Sequence, residues 1–174
     1  MSLYIESIRI KNGKAENLEL HQERVNNTLG QKSGEGLNLK NHLEDLKLTN
    51  SGLFKWRIEY NREKIHQNQL IPYHPTTVSK IKLVEAPNLK YALKYSNREI
   101  FKRLLLQSKA DDIIITQKGV ITDASYANVF FWNGVQWETP STPLLNGTQR
   151  RLILNRKLAV EKKIHLNDIK QYFH

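Results

Sequence analysis

The sequence predicts an α+β protein. Several short runs alternate apolar and polar residues with period two, the mark of half-buried strands. Other stretches space their apolar residues as helices do. No apolar run approaches the ~20 residues that would cross a bilayer, so no membrane span is expected.

The first strand is expected at residues 3–10, ending on the Lys11-Asn12-Gly13-Lys14 turn. A helix follows over 17–30, with Leu18, Val25 and Leu29 on one face and Gly30 as its stop. Ser33 to Gly36 reads as a loop, and Asn38 to Leu48 as a second helix. Residues 53–60 alternate cleanly and predict a strand; a weaker strand ends near Pro72, and another is expected over 78–85. Pro87-Asn88 breaks the pattern and sets a domain boundary, giving an N-terminal α/β domain of 1–86 and a C-terminal domain of 87–174.

In the second domain, Ser96 or Asn97 can cap a helix that runs to Lys109 and buries Ile100, Phe101, Leu104 and Leu105. Ile113-Ile114-Ile115 has the composition of a buried strand, and Val120-Ile121 begins its neighbour after Lys118-Gly119. Residues 129–138 predict a hairpin around Asn133-Gly134, a dipeptide suited to a type I′ turn. The last helix is expected from Thr148 to Lys162, burying Leu152, Ile153 and Val160. The tail from Ile164 to His174 reads as a short strand followed by an unfinished element.

The 174 residues suit one domain or two small ones, and 39% hydrophobic with 25% charged is an ordinary globular composition. The chain has no cysteine, which excludes disulfides, thiolate metal sites and cysteine nucleophiles. Together with an N-terminus unlike a signal peptide, this fits a cytoplasmic protein. The net charge of +10 favours anionic partners. Its basic residues are spread along the chain, which reads as a generally basic, solvated surface, and groupings such as Lys162-Lys163 are too short for a nucleic-acid arm.

Metal chemistry is not expected: none of the six histidines is spaced i, i+4 with another or lies beside a carboxylate cluster. A Walker loop, a Gly-x-Gly-x-x-Gly fingerprint and a Gly-x-Ser-x-Gly elbow are absent. What remains is an ordered set. Lys94 precedes a helix, Asp123 ends a strand, and Gly147-Thr148-Gln149 opens a helix whose N–H groups and dipole suit a phosphate. Arg24 lies upstream, three residues after His21. Each alone has an ordinary structural explanation; their order is the signal.

That order resembles the class IV aminotransferases, the fold-type IV pyridoxal-phosphate enzymes. Tyr4 to Arg9 looks like the family's Phe-Glu-Thr-x-Arg strand, and His21 to Arg24 is similar to its His-x-x-Arg segment. Lys94-Tyr95-Ser96-Asn97-Arg98 looks like the Lys-x-x-Asn-Arg form found in 4-amino-4-deoxychorismate lyase. Asp123 to Phe130 resembles Glu-x-x-x-x-Asn-x-Phe, and Leu145 to Arg150 resembles Leu-x-Gly-Ile-Thr-Arg.

The resemblance implies the fold-type IV architecture, a small α/β domain followed by a pseudo-barrel domain. It implies pyridoxal 5′-phosphate as cofactor, with Lys94 forming the internal aldimine and moving protons at the substrate carbon. Lys94 must be neutral for that, so its pKa is expected to be lowered. Asp123 would face the ring nitrogen and keep it protonated. Arg24, Gly147, Thr148 and Gln149 would hold the phosphate, and Asn128 would support the strand beside the ring. Arg9 and Arg98 are candidates for the substrate carboxylate. A homodimer acting on a small amine-bearing carboxylate is expected.

The chain departs from the family pattern at three points. Asp123 replaces a glutamate one methylene longer, Gly-Thr-Gln-Arg replaces Gly-Ile-Thr-Arg, and the chain is expected to be short at both ends. The Asn97-Arg98 pair favours a lyase of the aminodeoxychorismate type. The alternatives are a D-amino-acid or branched-chain aminotransferase, or a non-catalytic anion-binding protein on the same fold.

Overall fold

The structure, a computed structural model, describes residues 2–172. It is α+β, as the alternating and helical stretches together require. The chain forms two compact units. One runs through Thr76 and includes Leu93–Asn97; the other takes Thr77–Ala92 and the residues from Arg98 on.

The first unit is an antiparallel sheet of four strands with a helix laid on it. Strands β1 (Tyr4–Lys11), β2 (Lys14–Ala15), β3 (Leu53–Tyr60) and β4 (Ile65–Pro72) lie in the order β2-β1-β3-β4. Asn12 and Gly13 both have positive φ, 49° and 74°, so the expected turn between β1 and β2 takes the type I′ form. Period two sends Ile8 and Ile10 to one face, where Trp56, Ile58 and Tyr60 of β3 meet them. Helix α1 (Leu18–Leu29) covers that face with Val25 and Leu29, and stops where Gly30 turns left-handed at φ 64°. Helix α2 is shorter than the expected 38–48, spanning Leu39–Glu44, and contributes Leu39 to the same core.

The second unit is built from two crossovers. Strand β5 (Ile81–Glu85) runs parallel to β6 (Asp112–Gln117), and helix α3 (Glu99–Ser108) lies between them in the chain. Strand β7 (Val120–Ala124) then pairs antiparallel with β6, giving the order β5-β6-β7. The second crossover joins β9 (Trp137–Pro140) through helix α4 (Thr148–Asn155) to β10 (Ala159–Lys162), parallel to β9, with β8 (Phe131–Trp132) on its other side. A parallel pair needs such a connection because the chain must return to the starting end of the sheet. A 3-10 helix, Leu166–Tyr172, packs Ile169 against Ile114, Ile121, Phe131 and Ile164.

Other expectations change as well. The helix expected to reach Lys162 stops at Asn155; Lys157 adopts φ 56°, and the next residues become β10, where Val160 is 40% exposed rather than buried. The N-cap of α3 falls on Arg98, not Ser96 or Asn97; Ser96 is instead tied to the residue before β1, its N–H donating to Leu3 O. Asn133-Gly134 does not form a two-residue I′ turn. Four residues connect β8 and β9, and the Asn133 side chain accepts the N–H groups of Val135 and Gln136. In the tail, Ile164 is buried and His165 makes a lone bridge to Val120; the final two residues lie outside those described.

Candidate active site

Asp123 sits at the inner end of β7, 5% exposed. A carboxylate buried there needs donors. Asn128 Nδ2 donates to Asp123 Oδ1 at 2.7 Å, and Leu145 N–H donates to Asp123 Oδ2 at 3.0 Å. Burial pushes the Asp123 carboxyl up from its ordinary value, and these amide donors, with a smaller contribution from the charge of Arg150, offset only part of that.

Asn128 is the hub. Its Nδ2 also reaches Leu145 O at 2.8 Å, and its Oδ1 accepts Gly147 N–H at 3.2 Å. One side chain thus ties the end of β7 to the turn that opens α4. Gly147 has φ −67° and ψ 151°, a conformation open to any residue, so its backbone does not demand glycine. Space does: a Cβ at 147 would stand 2.2 Å from Asn128 Oδ1. The turn can dock on Asn128 only without a side chain at 147.

Helix α4 begins directly after Gly147 with Thr148, which is 7% exposed, and Gln149. The first turn carries no acidic residue. Arg150 is 3% exposed and closes the turn from behind, donating from Nη1 to Asn146 Oδ1 at 3.1 Å and from Nη2 to Pro140 O at 2.8 Å. Its Nη2 also lies 2.5 Å from Glu161 Oε1.

Three expected residues, Lys94, Arg24 and Arg9, belong to the first unit. Lys94 is half-buried, and its carbonyl accepts Ile5 N–H at 2.9 Å. Tyr95 bridges Tyr4, with ring centroids 5.4 Å apart, so the lysine segment is laid along the start of β1. Arg24, on α1, faces Glu6 of β1. Its Nε donates to Glu6 Oε1 at 2.8 Å, and its Nη2 donates to Glu6 Oε2. His21 Nδ1 stands 2.5 Å from the same Oε2. Glu6 is fully buried. Burial pushes its carboxyl up, but the hydrogen bonds and charges of Arg24 and His21 together outweigh that and hold it below its ordinary value.

Asp123, Asn128 and Gly147 are therefore joined by direct hydrogen bonds in one unit, while Lys94 and Arg24 lie in the other. Arg9 is on the solvent face, 54% exposed and 3.5 Å from Glu16. Arg98 donates to Tyr91 and Ser125 within its own unit. Glu6 and His21 were not among the expected site residues. Period two carried the signal for Glu6, since it shares the inward face of β1 with Ile8 and Ile10.

These residues suit the phosphorylated pyridine cofactor that the family order implied. A buried acceptor, Asp123, and the N-terminus of an eight-residue helix are linked through Asn128, and the Gly147 turn is held open by the absence of a side chain. Among the described residues no cluster of metal-binding side chains occurs, and no helix is long and apolar enough to cross a membrane.

Known proteins resemble this chain in sequence and fold. The chain is 35% identical over 169 residues to an uncharacterized protein of Haemophilus influenzae, covering 94% of this chain and 89% of that one. A solved structure from Haemophilus somnus 129PT, provisionally named 4-amino-4-deoxychorismate lyase, superposes with a TM-score of 0.86 at 31% identity, covering 99% of this chain and 92% of that one. An aminotransferase from Brucella abortus, solved with pyridoxal phosphate bound, shares the fold with a TM-score of 0.69 at 16% identity, over 97% of this chain and 74% of that one. The family description Amino-transferase class IV matches residues 4–172, nearly all of the described chain, and with the fold-type IV architecture it places the protein in the class IV aminotransferase family.

Proposed function

We propose that the protein is a pyridoxal-phosphate enzyme of lyase or aminotransferase type, acting on a small amine-bearing carboxylate, with aminodeoxychorismate-lyase-like chemistry as the leading reading. The observation that carries it is the hydrogen-bonded set of Asp123, Asn128 and Gly147, in a chain that also holds Lys94 ahead of Asn97-Arg98. Resemblance to the provisionally named lyase from Haemophilus somnus supports the choice within the family.

In this reading Lys94 anchors the cofactor and moves a proton at the substrate carbon. Asp123 holds the ring-nitrogen proton. The start of α4, with the Thr148 hydroxyl and the Thr148 and Gln149 N–H groups, binds the phosphate, and Arg24 adds charge from a position braced by Glu6. When bound, the cofactor supplies an electron sink for charge developing at that carbon. The reading includes a homodimer in the cytoplasm.

The test is cofactor capture. Wild-type protein mixed with pyridoxal phosphate is expected to develop a visible absorption band that borohydride fixes to the peptide containing Lys94, and Lys94→Ala is expected to lose it. Aminodeoxychorismate and a panel of L- and D-amino acids then sort lyase from aminotransferase. The net charge of +10 favours one rival, a non-catalytic anion binder on this fold. No band with wild type, together with polynucleotide binding that falls steeply with salt, would select it.

A further inference from the structure

Arg98 is the N-cap residue of α3, and its guanidinium lies among three aromatic rings. Its central carbon is 5.3 Å from the ring centre of Tyr91, 4.6 Å from that of Phe101 and 5.1 Å from that of Tyr126. Tyr91 and Phe101 are 5% and 3% exposed, so two walls of this cage are core residues. The donors are committed. Nη1 donates to Tyr91 Oη at 2.8 Å and Nη2 donates to the carbonyl oxygen of Ser125. Nε is buried and has no hydrogen-bond partner.

A substrate carboxylate is taken by two adjacent N–H groups of one guanidinium edge. Arg98 presents no such edge: Nη1 and Nη2 go to different acceptors, and Nε is enclosed. What it holds instead is the turn after β7. Ser125 is 1% exposed. Its hydroxyl donates to Asp112 Oδ1, and its N–H approaches the same oxygen at 3.3 Å. Ala124 N–H closes on Ala127 O at 2.8 Å, and Asp123 bridges Asn128 directly. The turn is therefore small and stiff, pinned at Ser125 by Arg98 on one side and Asp112 on the other. Asn128 leaves it three residues later.

We propose that Arg98 is a positioning residue that fixes the 124–128 turn, and through it the direction of the Asn128 amide onto Asp123 and Gly147. It is not the cation that receives substrate. Arginine suits the place because a flat guanidinium stacks between rings while donating in two directions; lysine offers a single charged point. The link to catalysis rests on the proposed function, but the link from Arg98 to the turn does not.

Amide hydrogen exchange on the full chain, without cofactor, tests that link. Arg98→Ala is expected to raise exchange on the order of tenfold in peptides covering 124–129 and 144–148, with β3 and β4 unchanged. If Arg98→Ala unfolds throughout, Arg98→Lys decides: it keeps the charge, and is expected to raise exchange in the same two peptides. Unchanged exchange there in a folded variant overturns the proposal. With pyridoxal phosphate added, Arg98→Lys is expected to shift the pH midpoint of the visible band. A raised KM for a carboxylate substrate, with exchange and band both unaltered, would instead return Arg98 to substrate binding. If wild type itself forms no band, the proposed function fails, while the exchange result still judges the turn.

Discussion

Two buried carboxylates, one in each unit, are held in opposite ways. Glu6 faces a guanidinium and an imidazole, and its proton is held more weakly than usual. Asp123 is hydrogen-bonded by neutral amide donors, with the charge of Arg150 a lesser influence, and its proton is held more tightly. Both are almost wholly removed from water. Desolvation therefore acts the same way on each, and the charge of the partner decides the sign of the shift. The first arrangement makes a fixed anion that orients Arg24. The second leaves a carboxyl that keeps its proton longer, and in the proposed function this is the group that would share a proton with the ring nitrogen.

The largest effect expected from breaking this contrast lies at Glu6. Glu6→Ala leaves Arg24 and His21 beside an empty, buried position and is expected to cost about 3–5 kcal/mol, read from urea unfolding. An unchanged midpoint would mean the cluster contributes nothing.

A smaller effect is expected at Gly147. The added methyl of Gly147→Ala must displace Asn128 Oδ1, which stands 2.2 Å from where that methyl would lie. Asn128 cannot swing away without losing its bonds to Asp123, Leu145 and Gly147. The expected loss is about 2 kcal/mol, with weaker retention of pyridoxal phosphate in equilibrium dialysis. Wild-type retention by this variant would show that the turn does not serve the phosphate.

The smallest effect sharpens the contrast through pH. Glu6 has a lowered folded pKa, so its contribution is complete above the ordinary value of 4.5 and drains as pH falls through the lower folded value. The destabilisation caused by Glu6→Gln should therefore shrink in acid. Asp123 has a raised folded pKa, so the folded state keeps its proton longer than the unfolded chain does, and stability falls as pH rises from 3.8 through the folded value. The cost of Asp123→Asn should thus be smaller at neutral pH than in acid. Thermal melts of both variants against wild type over a pH series check the opposite trends; parallel trends would remove the distinction.

Much of this architecture was legible because period and turn chemistry are local. Strand β3 matches the alternation over 53–60, and Asn12-Gly13 makes the expected turn, in the I′ form. The same dipeptide at 133–134 fails to do so. There the Asn133 side chain folds back on the backbone and also donates to Glu138, so a wider loop wins. Helical spacing continued past Asn155, yet residues 159–162 pair with β9; a free backbone edge in the sheet outweighed a modest helical preference. Glu6 was visible as a charge on an inward face, but its partners came from a helix fifteen and eighteen residues away.

The sequence alone determined the α+β class, the family order of Lys94, Asp123 and Gly147, and the strands whose alternation one buried face demands. These follow from residue type and spacing along a single chain. Tertiary structure decided which donors each carboxylate meets, that Gly147 is required for space rather than for its φ, and that Arg98 is enclosed by rings. Those depend on contacts between elements far apart in sequence, where neither period nor propensity carries information.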